Sequence, residues 1–210
     1  MVKKFKYTIA IMITLIIFVW IIEIVNGGLP YVDQWTRPFV IKLNESKLYY
    51  FFRGMTELGS RSFLIPFTIA GSLLLWIIFR DWLPAIILSG GTLMTHLINM
   101  LVKILIARER PSIWIEANAE GYSFPSGHSM ITIACYGLFV YFVSQKITSN
   151  KMRWIIKVFF SCLILFIGIS RYVINVHYLT DILAGFSIGF GCLLLFIHLN
   201  IYINKRRSQT

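Results

Sequence analysis

The chain has 210 residues, enough for one domain or two small ones, and 57% of them are apolar before any glycine is counted. With its 14 glycines the apolar share is about 64%, against roughly 45 to 50% for water-soluble domains, so a soluble globule is excluded. The net charge is +11, from 20 Lys and Arg against 9 Asp and Glu, but these charges lie between apolar runs and form no basic face, which argues against a nucleic-acid partner.

A bilayer core about 30 Å thick is crossed by about 20 apolar residues of helix. Six runs near that length occur, at 7–25, 61–79, 83–106, 128–145, 154–171 and 179–201. The first follows Lys3, Lys4 and Lys6 as a signal peptide would. Its apolar core is longer than a signal h-region and no A-x-A site follows, so it reads as a retained span. Cys135, Cys162 and Cys192 each lie inside an apolar run, with no CxxC or metal-ligand spacing, and read as buried packing residues. The expected fold is all-α: a six-transmembrane-helix bundle forming one domain over residues 1–210.

Six spans place both termini on one side. With the termini inside, eleven Lys and Arg fall in the inner segments and nine in the outer ones. Setting aside Lys103, Arg110 and Arg171, treated below, the bias is eleven to six, which favours cytoplasmic termini. The first outer connection, about 26–60, carries Leu48, Phe51, Phe52, Met55 and Leu58 at helical spacing, with Lys47, Arg53 and Glu57 off that face. This reads as an amphipathic helical segment in the membrane interface, serving either as an anchor or as a lid.

Three polar clusters interrupt the apolar pattern. The first is Lys103 to Pro111, KILIARERP. On a continuous helix Lys103 and Arg110 share a face two turns apart, and sevens backwards add His96 and Ser89 to a stripe facing the bundle interior. The second is Tyr122 to Ser129, YSFPSGHS. Ser123 is a candidate cap and Pro125 suits a first turn. The N–H groups of Ser126, Gly127 and His128 would then converge as an anion site, with His128 able to give a proton. The third is Ser170 to Asp181, SRYVINVHYLTD. His177 and Asp181 are four apart, so the carboxylate can hold one ring nitrogen and leave the other as a nucleophile, while Arg171 offers a fork of donors to phosphate oxygens. Taken singly, each cluster has an ordinary alternative: snorkelling cations, a capped helix with an exposed His, and a structural His–Asp hydrogen bond.

Under the inferred topology all three clusters fall on the outer face. Together they supply three cations, a helix N-terminus, a proton donor and a carboxylate-held His, the parts phosphoryl transfer requires. At these residues the sequence resembles the type 2 phosphatidic acid phosphatase (PAP2) superfamily. Its signatures K-x6-R-P, P-S-G-H and S-R-x5-H-x3-D are matched at Lys103, Arg110 and Pro111, at Pro125 to His128, and at Ser170, Arg171, His177 and Asp181. The resemblance implies that His177 becomes a phosphohistidine oriented by Asp181, and that His128 protonates the leaving group. It implies that Lys103, Arg110, Arg171 and the Ser126–Gly127 backbone hold phosphate, with no metal and no cofactor. The implied protein is a multi-pass enzyme of the cell membrane acting on a lipid phosphate, similar to small bacterial members that use phosphatidylglycerol phosphate or undecaprenyl diphosphate. Two other expectations stand beside it: a phosphotransferase passing the group to a hydroxyl acceptor, and a non-catalytic lipid-phosphate binding or transport protein. The second would be expected to lack His177, His128 or Asp181, and all three are present.

Overall fold

The computed structural model describes residues 2–43, 46–111 and 121–209. The elements among these residues are helices: α1 (Val2–Val25), α2 (Tyr31–Ile41), α3 (Lys47–Met55), a 3₁₀ turn (Thr56–Gly59), α4 (Arg61–Phe79), α5 (Trp82–Ile106), α6 (Gly127–Lys146), α7 (Asn150–Val173) and α8 (Leu179–Arg207). Six of them, α1 and α4 to α8, are long and apolar enough to cross a membrane. They coincide with the six expected runs. α1, α7 and α8 extend beyond those runs; Ser149 Oγ accepts from Met152 N and starts α7 early, and no breaker interrupts α8 before its basic end.

Of the six spans, α6 is the most enclosed and α1 the least. Met130, Leu138 and Phe142 of α6 are fully enclosed against Leu75 of α4, Leu88 of α5 and Phe196 of α8. Around the outside, apolar side chains such as Ile11, Leu15, Leu73 and Leu195 stay exposed, as lipid-facing residues must when no water opposes them. Cys135 and Cys192 are buried as expected; Cys162 is exposed on α7, where lipid accepts a thiol as readily as the core does.

Two glycines one turn apart set how closely α8 approaches α6. A Cβ on Gly189 would stand 2.5 Å from the Met130 carbonyl oxygen, and one on Gly185 would stand 2.7 Å from that of Ser126. Small residues at this spacing let two helix backbones pack directly. The contact places the first turn of α8 beside the first turn of α6. At the opposite end of the bundle Arg80, in the left-handed region, reverses the chain between α4 and α5, and Asp81 caps α5 and pairs with Arg207 of α8 at 2.9 Å.

The first connection is helical, as expected. Tyr49, Phe52 and Thr56 turn inward, while Leu48 and Phe51 are exposed. Tyr49 and Phe52 pack on Val173, Ile174 and Val176, the turn that leads into His177. The connection also contains α2, which the apolar pattern does not single out.

Candidate active site

At the head of α6, Ser126 is the N-cap, its Oγ accepting from Ser129 N at a long 3.5 Å. The cap therefore lies three residues beyond Ser123, and Pro125 precedes the helix. The expected backbone role of Ser126 also changes, because its N–H donates to the Asp181 carbonyl at 2.9 Å. Gly127 and His128 open the helix, where N–H groups lack intrahelical acceptors and the dipole is positive. Asn99 of α5 braces this turn: its Nδ2 donates to the Pro125 carbonyl at 3.2 Å, and a Cβ on Gly127 would lie 3.0 Å from its Oδ1. Asn99, Thr95 and Thr92 form the buried polar stripe of α5. Ser89 is exposed and His96 only half-buried, so the stripe extrapolated in sevens is displaced.

His177 precedes α8 and does not lie on its face. After α7 ends, Asn175 adopts a left-handed conformation (φ 57°), one that Asn tolerates better than most residues. Val176 N and His177 N both donate back to the Arg171 carbonyl. This curl buries His177 to 3% exposure and aims its Nδ1 at Asp181 Oδ2, 3.4 Å away. Asp181 sits in the first turn of α8, fully buried, with Oδ2 also accepting from Tyr178 N at 2.9 Å and from Ser123 Oγ at 2.5 Å. Ser123 Oγ lies 3.3 Å from His177 Nδ1 as well. The hydroxyl expected to cap α6 thus ties the carboxylate to the ring.

With Nδ1 committed, Nε2 of His177 faces Arg110 Nη1 at 3.2 Å. Arg110 does not reach this place along a helix. α5 stops at Ile106, Ala107 turns left-handed (φ 50°), and the chain folds back so that Arg110 donates to the carbonyls of Gly121 and Val176 at 2.8 and 2.9 Å. Lys103, still on α5, donates to the carbonyls of Tyr122 and Ser123. Arg171 on α7 is buried. Its Nη1 donates to Thr56 Oγ1 at 2.9 Å, and its Nε has no partner among the described residues. The cluster governs the charge of His177: burial first, then the cations Arg110, Lys103 and Arg171, hold its pKa well below the usual 6.5. Both effects favour the neutral form of the ring.

The His128 ring is backed by the 3₁₀ turn, where a Cβ on Gly59 would come within 2.7 Å of its Cδ2. Gly59 and Thr56 are thus site residues that no motif reveals. Two others are Arg108, inside the unspecified stretch of K-x6-R-P, and Asp33 on α2. Arg108 donates to Asp181 Oδ1 at 2.6 Å and to Asp33 Oδ2 at 2.7 Å, with both ends buried. An imidazole held by a carboxylate, three cations around it and the first turn of α6 make a cluster matched to an anion with several oxygens. Among the described residues no three His, Cys, Asp or Glu side chains come together as metal ligands.

Known proteins share parts of this sequence and its fold. A family model described as the PAP2 superfamily matches residues 84–205. The chain is 32% identical over 138 residues to phosphatidylglycerophosphatase B of Bacillus subtilis (strain 168), covering 65% of this chain and 67% of that protein. It is 28% identical over 161 residues to dolichyldiphosphatase of Saccharomyces cerevisiae, covering 73% and 67% respectively. In fold it resembles the crystal structure of a transmembrane PAP2 type phosphatidylglycerolphosphate phosphatase from Bacillus subtilis, with a TM-score of 0.79 over 90% of this chain and 96% of that one at 24% identity. The family match spans more than half of the sequence and contains all three motifs, so the chain belongs to the PAP2 superfamily.

Proposed function

We propose that this chain, acting as one domain, is a membrane lipid phosphatase that cleaves a phosphate monoester or diphosphate through a phosphohistidine on His177. The observation that carries the reading is the division of labour on the imidazole: Nδ1 turned to Asp181 and Ser123, Nε2 turned to Arg110. Nε2 attacks phosphorus, a P–N bond forms, and the P–O bond to the lipid breaks. Arg110, Lys103, Arg171 and the N–H groups of Gly127 and His128 meet the charge on the three remaining oxygens. His128 gives its proton to the departing oxygen. Water then attacks phosphorus, giving a proton back to His128; an O–P bond forms, the P–N bond breaks, and inorganic phosphate leaves with His177 restored. Every charge in this scheme is met by side chains or backbone, so turnover needs no divalent metal.

The matched relatives are named for a phospholipid monoester and a polyprenyl diphosphate, which supports a lipid phosphate as substrate. Assay of the purified protein against phosphatidylglycerol phosphate, phosphatidic acid and undecaprenyl diphosphate, with and without EDTA, tests both statements. Release of inorganic phosphate from at least one lipid, unchanged by chelator, is expected. Transfer of the phosphate to an added hydroxyl acceptor in place of release, or chelator loss restored by magnesium, would contradict the reading. The eleven-to-six excess of cations on the side of the termini supports cytoplasmic termini and a site opening outward in a bacterial cell membrane. A cysteine at Gly54, where a side chain meets no neighbour, should then react with an impermeant maleimide in intact cells, and one at Ser149 should not. The reverse pattern would invert the topology.

A further inference from the structure

A buried carboxylate flanked by three donors lies outside every motif. Asp33, on α2, is 1% exposed. Its Oδ1 accepts from Thr180 N at 3.0 Å, and its Oδ2 accepts from Thr180 Oγ1 at 2.6 Å and Arg108 Nη2 at 2.7 Å. The other arm of the same guanidinium donates to Asp181 Oδ1 at 2.6 Å and to Thr180 Oγ1 at 2.8 Å. Asp33, Arg108 and Asp181 therefore form one chain of charge, minus, plus, minus, closed off from solvent. α2 is fastened to the same place twice more, by Tyr172 Oη donating to the Thr36 carbonyl and by Arg37 beside Tyr178. The Arg108 guanidinium lies 3.9 Å over the Tyr178 ring, which leaves it little freedom to turn.

We propose that Asp33 and Arg108 are positioning residues that set both the orientation of Asp181 and the charge it presents to His177. An Arg–Asp pair by itself would leave Asp181 neutralised and poorly able to support positive charge on the ring as the P–N bond forms. With Asp33 on its second arm, Arg108 is shared, and the triad keeps one net negative charge at its His177 end. The fork also fixes the carboxylate plane, so that Oδ2 is left for Tyr178 N, Ser123 Oγ and His177 Nδ1. Asp33 is required as an acid because donors approach both of its oxygens. An amide in its place would set an N–H against an N–H whichever way it turned. α2 thereby reaches the reacting ring through two side chains, Arg108 and Asp181.

This inference rests on His177 as the nucleophile, and its test separates the two. Asp33→Asn and Arg108→Lys are made alone and in an Asp181→Asn background, with Tm measured for each. Single-turnover phosphoenzyme formation from p-nitrophenyl phosphate is followed together with kcat and KM. In otherwise wild-type protein both variants should lower the phosphoenzyme rate and kcat by about 10- to 100-fold, the range for partners that orient a primary group, with KM within about twofold. In the Asp181→Asn background the same changes should have almost no further effect, because the residue they act through is gone. If Asp33→Asn does not fold, Arg108→Lys, which keeps the cation but not the fork, decides the matter. Folded variants with rates within twofold of wild type, or an equal loss in both backgrounds, would overturn the positioning role. Failure of wild-type protein to form any phosphoenzyme at His177 would instead overturn the nucleophile assignment beneath it.

Discussion

Two glycines on α8 meet opposite surroundings two residues apart. At Gly189 an added Cβ would sit 2.5 Å from the Met130 carbonyl oxygen and 3.0 Å from Met130 Cα, all backbone, with no flexible side chain to yield. At Gly191 nothing lies within 4 Å. Ordinary carbon–oxygen contact begins near about 3.3 Å, so Gly189→Ala forces α8 and α6 apart by about 0.8 Å. That displacement passes along a rigid helix to Asp181, whose carbonyl accepts from Ser126 N at 2.9 Å and whose carboxylate holds His177. Overpacking of this kind costs about 1 to 3 kcal/mol, and a misplacement approaching 1 Å at a reacting group costs up to about 10²-fold in rate. The expected result is a lowered Tm in detergent and a kcat reduced by one to two orders of magnitude for Gly189→Ala. Gly191→Ala should match wild type in both. Equal behaviour of the two variants, in either direction, would refute the claim that the α6–α8 approach sets the site.

His128→Ala should lose about 10²- to 10⁴-fold on a lipid alkyl phosphate, the ordinary worth of general acid catalysis, but much less on p-nitrophenyl phosphate, whose phenolate leaves unaided. Parallel kcat measurements decide it, and equal losses on both substrates would refute the acid role. The displaced pKa of His177 predicts a pH profile. A depressed value means the ring binds a proton only as pH falls past its folded pKa, well below 6.5. Single-turnover phosphoenzyme formation from p-nitrophenyl phosphate should therefore show no acid-side loss down to about pH 6.5, and a midpoint at or above 6.5 would contradict the electrostatics of the site. The same displacement makes the fold lose stability as pH drops below about 6.5, because the unfolded chain takes up the proton first.

The six spans and the three motifs were legible because each depends on local sequence: a run of about 20 apolar residues, or fixed spacings within one segment. What the chain assembles across long separations was not legible. Asp33 meets Thr180 across 147 positions and Arg171 meets Thr56 across 115. No period in the sequence marks such pairs. Asp33 left one faint signal, an acid within an aromatic-rich stretch of the first connection. Which residues of α3 turn inward was not legible for a physical reason: in a bilayer, apolar residues are equally at home against lipid and against protein. Leu48 and Phe51 therefore sit outside while Tyr49 and Phe52 sit inside, and hydrophobic spacing cannot tell them apart. Ser123 and Arg110 join the candidate site by a local geometry other than the one expected. The cap of α6 is Ser126 and not Ser123, and α5 ends at Ile106, where a left-handed Ala107 redirects the chain before Arg110.

The central claim is that one particular nitrogen, Nε2 of His177, takes the phosphoryl group. Incubation with a substrate carrying ³²P in the transferred phosphate, followed by rapid denaturation, reads this directly. Wild-type protein should carry label that is labile to acid and stable to alkali, located in a peptide containing His177, and folded His177→Ala should carry none. Label retained in His177→Ala and lost in His128→Ala would show that the two histidines exchange roles.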